Sequence, residues 1–217
     1  MVIYPGTFDP ITIGHLDVLH RSINSINNKI TIAVADIKDK KQSLFTSEER
    51  IKLIENSLLD LSANGKFCEK EDLIVKSFNR KKIIIHQIQN RIVKNRQEIL
   101  CENIFDHINN SKEEGQKTVI ILDFNELLVN FAKKLGVKLI IRGIRASSDF
   151  DYEFSMACAN KRLNNQIETV FVPSSEDKQF ISSSIIKSIA SLDGDVSSVV
   201  TKSVSEALIL KYKKNYE

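Results

Sequence analysis

An open, Rossmann-like α/β sheet is predicted by three features of this 217-residue chain. Short Ile/Val-rich runs alternate with longer amphipathic runs, the pattern of strands joined by crossover helices. The short runs are apolar on both faces, as strands buried inside a parallel sheet are. Capping residues and glycine turns separate the two kinds of run. The length suits one domain of this class with a substantial core.

Taken in order, the predicted strands are Val2–Tyr4, Ile30–Ala35, Val119–Leu122, Lys138–Ile141 and Thr169–Val172. The predicted helices are His15–Ile26, Ser47–Leu61, Glu126–Leu135, Phe150–Leu163, Ser183–Leu192 and Val204–Tyr212. Thr46-Ser47-Glu48-Glu49 reads as a helix start, with a hydroxyl cap and acids in the first turn. Gly136, after Lys133-Lys134-Leu135, reads as a helix stop. Between Leu61 and Val119 the chain runs for about 55 residues, where such connections usually take about 2–6. The spacing of Ile84, Ile88 and Ile92, then Ile99, Leu100, Ile104 and Ile108, predicts one or two amphipathic helices there. Lys82–Ile85 also fits a strand. The expected architecture is therefore a five-stranded parallel sheet with helices on both faces, one domain over 1–217, with a mainly helical insertion at about 63–117. Both ends of that insertion should emerge at the amino edge of the sheet, away from the carboxyl edge where ligands bind, with the Ile84/Ile88/Ile92 stripe buried.

Composition excludes several classes. The 42% hydrophobic and 27% charged content is that of an ordinary globular protein. No apolar run reaches about 18–20 residues, so no transmembrane helix and no membrane partner are expected. The amino terminus leads directly into a strand and lacks the features of a signal peptide, which points to the cytoplasm. Cys68, Cys101 and Cys158 are widely spaced and form neither a disulfide framework nor a zinc ligand set. The net charge is +3, and residues 63–117 hold all of it, with 11 Lys/Arg against 8 Asp/Glu. Such a small excess without interleaved aromatic residues argues against nucleic acid as a partner.

Five clusters follow strands or open helices. Tyr4-Pro5-Gly6-Thr7-Phe8-Asp9 leads to Gly14-His15 at a helix start, where free N–H groups suit phosphate. A histidine there can donate to a phosphoryl oxygen, although a lone histidine is more often structural. Lys40-Lys41 precedes Phe45-Thr46 and either neutralises phosphate or is simply solvated. Leu127 and Leu128, after Asp123, face either the core or a ligand. Arg142-Gly143-Ile144-Arg145 sets two guanidinium groups at the end of the fourth strand, where they bracket phosphate or pair with Asp149, Asp151 and Glu153. Gly143 would let the backbone approach a ligand. Ile181-Ser182-Ser183-Ser184 opens a helix with hydroxyl caps, a pattern that also suits an anion.

The string Tyr4 to Thr12 resembles the first motif of the phosphopantetheine adenylyltransferase family, in the nucleotidyltransferase superfamily. The run from Arg142 to Glu153 is similar to its R-G-L-R-x-x-x-D-F-x-Y-E motif, and I-S-S-S is shared as well. The resemblance covers residues 2–61 and 118–212 and leaves the insertion outside. It implies transfer of the adenylyl group of ATP to 4′-phosphopantetheine, giving dephospho-coenzyme A and pyrophosphate. It further implies that His15, Lys41 and Thr7 are catalytic. The implied ATP contacts are Thr7, Phe8, His15, Gly143, Ile144, Arg145, Glu153, Lys178, Gln179, Phe180, Ile181, Ser182, Ser183 and Ser184. The implied acceptor contacts are Thr7, Lys41, Leu128 and Arg142. The chain is slightly longer than usual before Lys41, so Lys40 remains a substitute, and the Trp often found just before the position of Phe180 is missing. Mg²⁺ is implied with ATP, held mainly by the nucleotide and water. Dephospho-coenzyme A or coenzyme A is implied as product or feedback ligand, and a homohexamer as the assembly. Two rivals remain. One is another nucleotidyltransferase of this fold, such as a nicotinate mononucleotide adenylyltransferase, which the Arg142–Glu153 run disfavours. The other is a non-enzymatic nucleotide- or RNA-binding protein using the basic insertion.

Overall fold

The computed structural model describes residues 1–36, 43–64, 67, 73–79, 82–89, 92–100, 105, 108, 116–178 and 181–213. Its strands are β1 (Val2–Gly6), β2 (Lys29–Ala35), β3 (Leu73–Asn79), β4 (Lys82–Gln89), β5 (Ile92–Leu100), β6 (Lys117–Phe124), β7 (Leu139–Ile144) and β8 (Glu168–Pro173). Its helices are α1 (Ile13–Ser25), α2 (Ser47–Ala63), α3 (Leu128–Lys134), α4 (Ser147–Leu163), α5 (Ser183–Ala190) and α6 (Lys202–Lys213). All the strands form one sheet, in the order β5-β4-β3-β6-β2-β1-β7-β8.

The five strands expected from the sequence are β1, β2, β6, β7 and β8, and they pair in parallel as the centre and one end of the sheet. Ile3, Ile30, Ile32, Ile120, Ile121 and Ile140 are fully buried, because helices cover both faces. Thr46 caps α2 in a reciprocal box with Glu49. Gly136, at φ +65°, ends α3, where its N–H donates to Lys133 O and that of Val137 to Ala132 O.

The insertion departs from expectation. Among the described residues, 73–100 form three strands, so the sheet has eight strands rather than five and is mixed. β3 pairs in parallel with β6, and β4 and β5 follow as antiparallel neighbours. A four-residue isoleucine spacing is a multiple of two as well as close to a helical turn, so it fits one face of a strand. The β-branched run Ile83–Ile85 tips the balance to strand. The expected stripe is not buried as a unit: Ile88 is buried and Ile84 partly buried, but Ile92 is 58% exposed. The segment also does not hang below the amino edge. It widens the sheet sideways, and β3 and β5 both run toward the carboxyl edge. Glu55 of α2 ties the added strands down, accepting from Ser77 Oγ at 2.9 Å and lying 2.6 Å from His86 Nε2. Burial would raise the Glu55 pKa, but the bonds from His86, Lys52 and Ser77 hold it below the ordinary range.

The chain progresses outward from β1 to β2 and β6 on one side, and to β7 and β8 on the other. The switch point of the sheet therefore lies at the carboxyl ends of β1 and β7, where an open sheet leaves a crevice. No helix among the described residues is long and apolar enough to cross a membrane.

Candidate functional site

A cavity of about 400 Å³ opens at that switch point. Of the residues singled out in the sequence, it brings together Thr7, Phe8, His15, Leu128, Arg142, Gly143, Arg145 and Glu153. Val18, Phe124, Leu128 and Met156 give it an apolar side. The lining thus combines cationic groups with apolar side chains.

His15 is set by the start of α1. Thr12 is the N-cap, and its Oγ1 accepts from His15 N at 3.3 Å. In return, Thr12 N donates to His15 Nδ1 at 3.1 Å. A backbone amide can only donate, so Nδ1 is the unprotonated nitrogen and the ring proton sits on Nε2. The edge of the Phe8 ring packs against the imidazole, with ring centres 5.2 Å apart. Burial, with Arg145 and Arg142 nearby, lowers the His15 pKa to about 3. The imidazole is thus a neutral, oriented N–H donor. Phe8 itself is buried and supports His15 from below.

The two arginines leave the end of β7 on different sides. Arg142 donates from Nη1 to Pro5 O at 2.7 Å, and from Nε and Nη2 to the Glu153 carboxylate at 2.5 and 2.6 Å. Arg145 donates to Asp149 Oδ2 at 3.2 Å and to Ile181 O at 3.1 Å. The ion-pairing reading is therefore what is seen, Arg142 with Glu153 and Arg145 with Asp149, while both arginines line the cavity. Gly143 faces inward, since a Cβ there would lie 3.1 Å from Val18 Cγ2. Its small size serves the approach of α1 to β7.

The start of α5 lies beside the cavity rather than in its lining. Ser182 caps the helix, accepting from Ile185 N at 3.2 Å, and Ser183 Oγ donates to Pro10 O at 2.8 Å. Ser184 is exposed, and Ile144 and Ile181 are partly buried. Lys178 pairs with Asp17 at 3.1 Å, and Asp17 also accepts from the N–H and Oγ of Ser175. Burial would raise the Asp17 pKa, but these bonds hold it below the usual carboxylate range. Leu128 faces the cavity, whereas Leu127 is 58% exposed. Lys40, Lys41, Gln179 and Phe180 lie outside the described residues.

Three residues escaped sequence reasoning. Thr12 fixes the tautomer of His15, and its signal was a hydroxyl three residues before the histidine, a capping-box spacing. Asp9 is buried and accepts from Leu44 N and Phe45 N, both at 2.9 Å, and from Lys187 Nζ at 2.7 Å. Arg50 is 1% exposed and donates to Thr7 O at 2.7 Å and Ala35 O at 2.8 Å. Asp9 and Arg50 hold the loops after β1 and β2 together.

Among the described residues, no group of three or more His, Cys, Asp or Glu side chains is placed to hold a metal. Asp9, Asp17, Asp149 and Glu153 already face cations or backbone amides.

Comparison with known proteins shows what the chain is similar to. Residues 3–189 match the family model described as cytidylyltransferase-like. A phosphopantetheine adenylyltransferase of Thermotoga neapolitana is 33% identical over 99% of this chain and 98% of its own. One of Cereibacter sphaeroides is 34% identical over 97% and 98%, and one of Wolbachia pipientis wMel is 36% identical over 95% and 90%. A solved structure titled as a putative nicotinate-nucleotide adenylyltransferase of Vibrio parahaemolyticus superposes with a TM-score of 0.52, covering 98% of this chain and 94% of that one. At 12% identity, that likeness concerns the fold.

Proposed function

This chain belongs to the phosphopantetheine adenylyltransferase family of cytidylyltransferase-like enzymes, and from that premise we propose the part each residue plays. The reaction transfers the adenylyl group of ATP to 4′-phosphopantetheine, giving dephospho-coenzyme A and pyrophosphate. An oxygen of the acceptor phosphate attacks the α-phosphorus, and the bond to the pyrophosphate oxygen breaks. A phosphate is an adequate nucleophile, so the protein acts by positioning and charge stabilisation. The observation that carries the reading is a neutral His15 whose only ring proton is on Nε2, flanked by two arginines at the switch point.

His15 Nε2 donates to the α-phosphoryl oxygens as charge builds on them. Thr7 and Lys41, with Lys40 as the substitute, hold the reacting phosphates. Arg142 takes the acceptor phosphate, and Leu128 lines the path of the pantetheine arm. Phe8, Gly143, Ile144, Arg145 and Glu153 serve ATP, together with residues 178–184, whose Ser182–Ser184 hydroxyls lie near the phosphate chain. Mg²⁺ enters with ATP and is carried by the nucleotide and water. Dephospho-coenzyme A or coenzyme A rebinds as product or feedback ligand, and the enzyme acts in the cytoplasm. The test is pyrophosphate release from ATP with 4′-phosphopantetheine, compared with nicotinate mononucleotide as acceptor. Release with the second acceptor alone would overturn the assignment.

Two expected results separate the roles. Arg142→Ala should raise KM for phosphopantetheine by about tenfold or more, and Arg145→Ala that for ATP, since each removes a charge-assisted contact. Measuring both KM values in both variants checks this, and a reversed pattern would exchange the assignments.

The assembly is proposed to be a homohexamer. Phe150 and Phe154 of α4, one turn apart and stacked with ring centres 5.7 Å apart, are 43% and 51% exposed, and Phe150 packs on Phe171 of β8. An apolar face of that kind on a folded chain marks an association surface. Light scattering should therefore give a particle several times the 24.7 kDa chain mass, and a monomer at micromolar concentration would refute it.

A further inference from the structure

We propose that Glu153 is a counter-ion that the acceptor's phosphate must displace from Arg142, and that it thereby selects acceptors carrying a doubly charged phosphate. The identity of the acceptor rests on the adenylyltransferase reading above, but the contact itself does not, and a carboxylate displaced from Arg142 is released for the nucleotide contact given to Glu153 above.

The Glu153 carboxylate sits on the Nε/Nη2 edge of Arg142, at 2.5 and 2.6 Å. That edge is the fork a phosphate would grip with two oxygens, so carboxylate and phosphate compete for one place. The third donor, Nη1, is anchored separately on Pro5 O at 2.7 Å. The guanidinium therefore stays at the cavity when the carboxylate leaves. Both partners are shielded, with the Arg142 and Glu153 side chains 27% and 13% exposed, so neither charge is well solvated once parted. A cavity of about 70 Å³ adjoins Glu153, bounded by Leu128, Met156 and Asn160, and gives the side chain somewhere to swing. Replacing a single negative charge by another single charge brings no electrostatic gain. A dianion does bring one, and the carboxylate thus sets a threshold. Asp149, one helical turn earlier, makes a looser single contact to Arg145 at 3.2 Å, so the threshold belongs to the acceptor side.

The test is isothermal titration of the full chain, without nucleotide, using inorganic phosphate, 4′-phosphopantetheine and its singly charged phosphate methyl ester. Glu153→Gln should tighten phosphate and phosphopantetheine by about tenfold and narrow the preference for the dianion over the methyl ester. Glu153→Asp, too short to span the fork, should shift in the same direction by less. In an Arg142→Ala background the Glu153→Gln change should have no effect. Unchanged or weaker phosphate binding in folded Glu153→Gln and Glu153→Asp variants would overturn the proposal. So would a tightening that persists without Arg142, since the carboxylate would then act by general repulsion. Tighter inorganic phosphate with no binding of phosphopantetheine would leave the counter-ion role standing and remove the acceptor assignment instead.

Discussion

Replacing His15 by Ala should lower kcat at least about 10²-fold while ATP binding stays near normal, the usual cost of losing one preorganised donor to a developing oxyanion. The size of the effect follows from preorganisation. Thr12 N holds Nδ1 at 3.1 Å, Phe8 supports the ring, and Nε2–H is left as the donor. Thr12→Val keeps the amide but loses the hydroxyl, and should cost about 1 kcal/mol of stability through the lost cap. Its kcat should fall less than that of His15→Ala. Turnover of His15→Ala equal to wild type would remove His15 from the chemistry. The pH dependence has a definite sign. The folded pKa of about 3 lies below the unfolded value, so in acid the unfolded chain binds the proton first. His15 therefore contributes stability that is fully present above about pH 6.5 and is lost progressively as pH falls toward its folded value. His15→Asn should flatten that decline in thermal melts taken across the range. The kcat profile of the wild type should also lack a histidine ionisation between about pH 5 and 8.

Arg50→Ala should destabilise the fold by about 3–5 kcal/mol, as breaking a buried charged network does. The guanidinium donates to Thr7 O and Ala35 O, reaches Thr46 O at 3.4 Å, and lies 3.9 Å from Asp36. Removing it leaves carbonyls of two loops without a donor and opens a cavity beneath the site. Because Thr7 is one of those carbonyls, activity should fall even where the variant remains folded. Arg50→Lys should recover less than half of the loss, since one ammonium cannot span acceptors that a planar fork reaches together. Urea unfolding measures the difference, and a loss under about 1 kcal/mol would mean that water replaces the guanidinium.

The five central strands were legible because burial on both faces leaves a run such as Ile30–Ala35 with no polar alternation to confuse it. Helix ends were legible where a local device marks them, at Thr46 and Gly136. The inserted segment was misread because Ile84, Ile88 and Ile92 satisfy two periodicities, and only pairing with β3 decides between them. Much of the cavity lining was legible because open sheets leave a crevice at the carboxyl ends of their strands, which is where Thr7, Leu128, Arg142 and Arg145 stand.

What the amino-acid order determined by itself was local: which runs extend, where helices begin and stop, and which motifs follow strands. These depend on neighbours within a few residues, and such neighbours are written into the pattern. Only the tertiary structure decided that Arg50, in the first turns of a helix, is buried against Thr7, 43 residues away in sequence. It also decided that Arg142 is already engaged by Glu153 and that three added strands widen the sheet. Those outcomes turn on distances between segments remote in the chain. A charged side chain looks the same in sequence whether water or a carbonyl across the fold satisfies it.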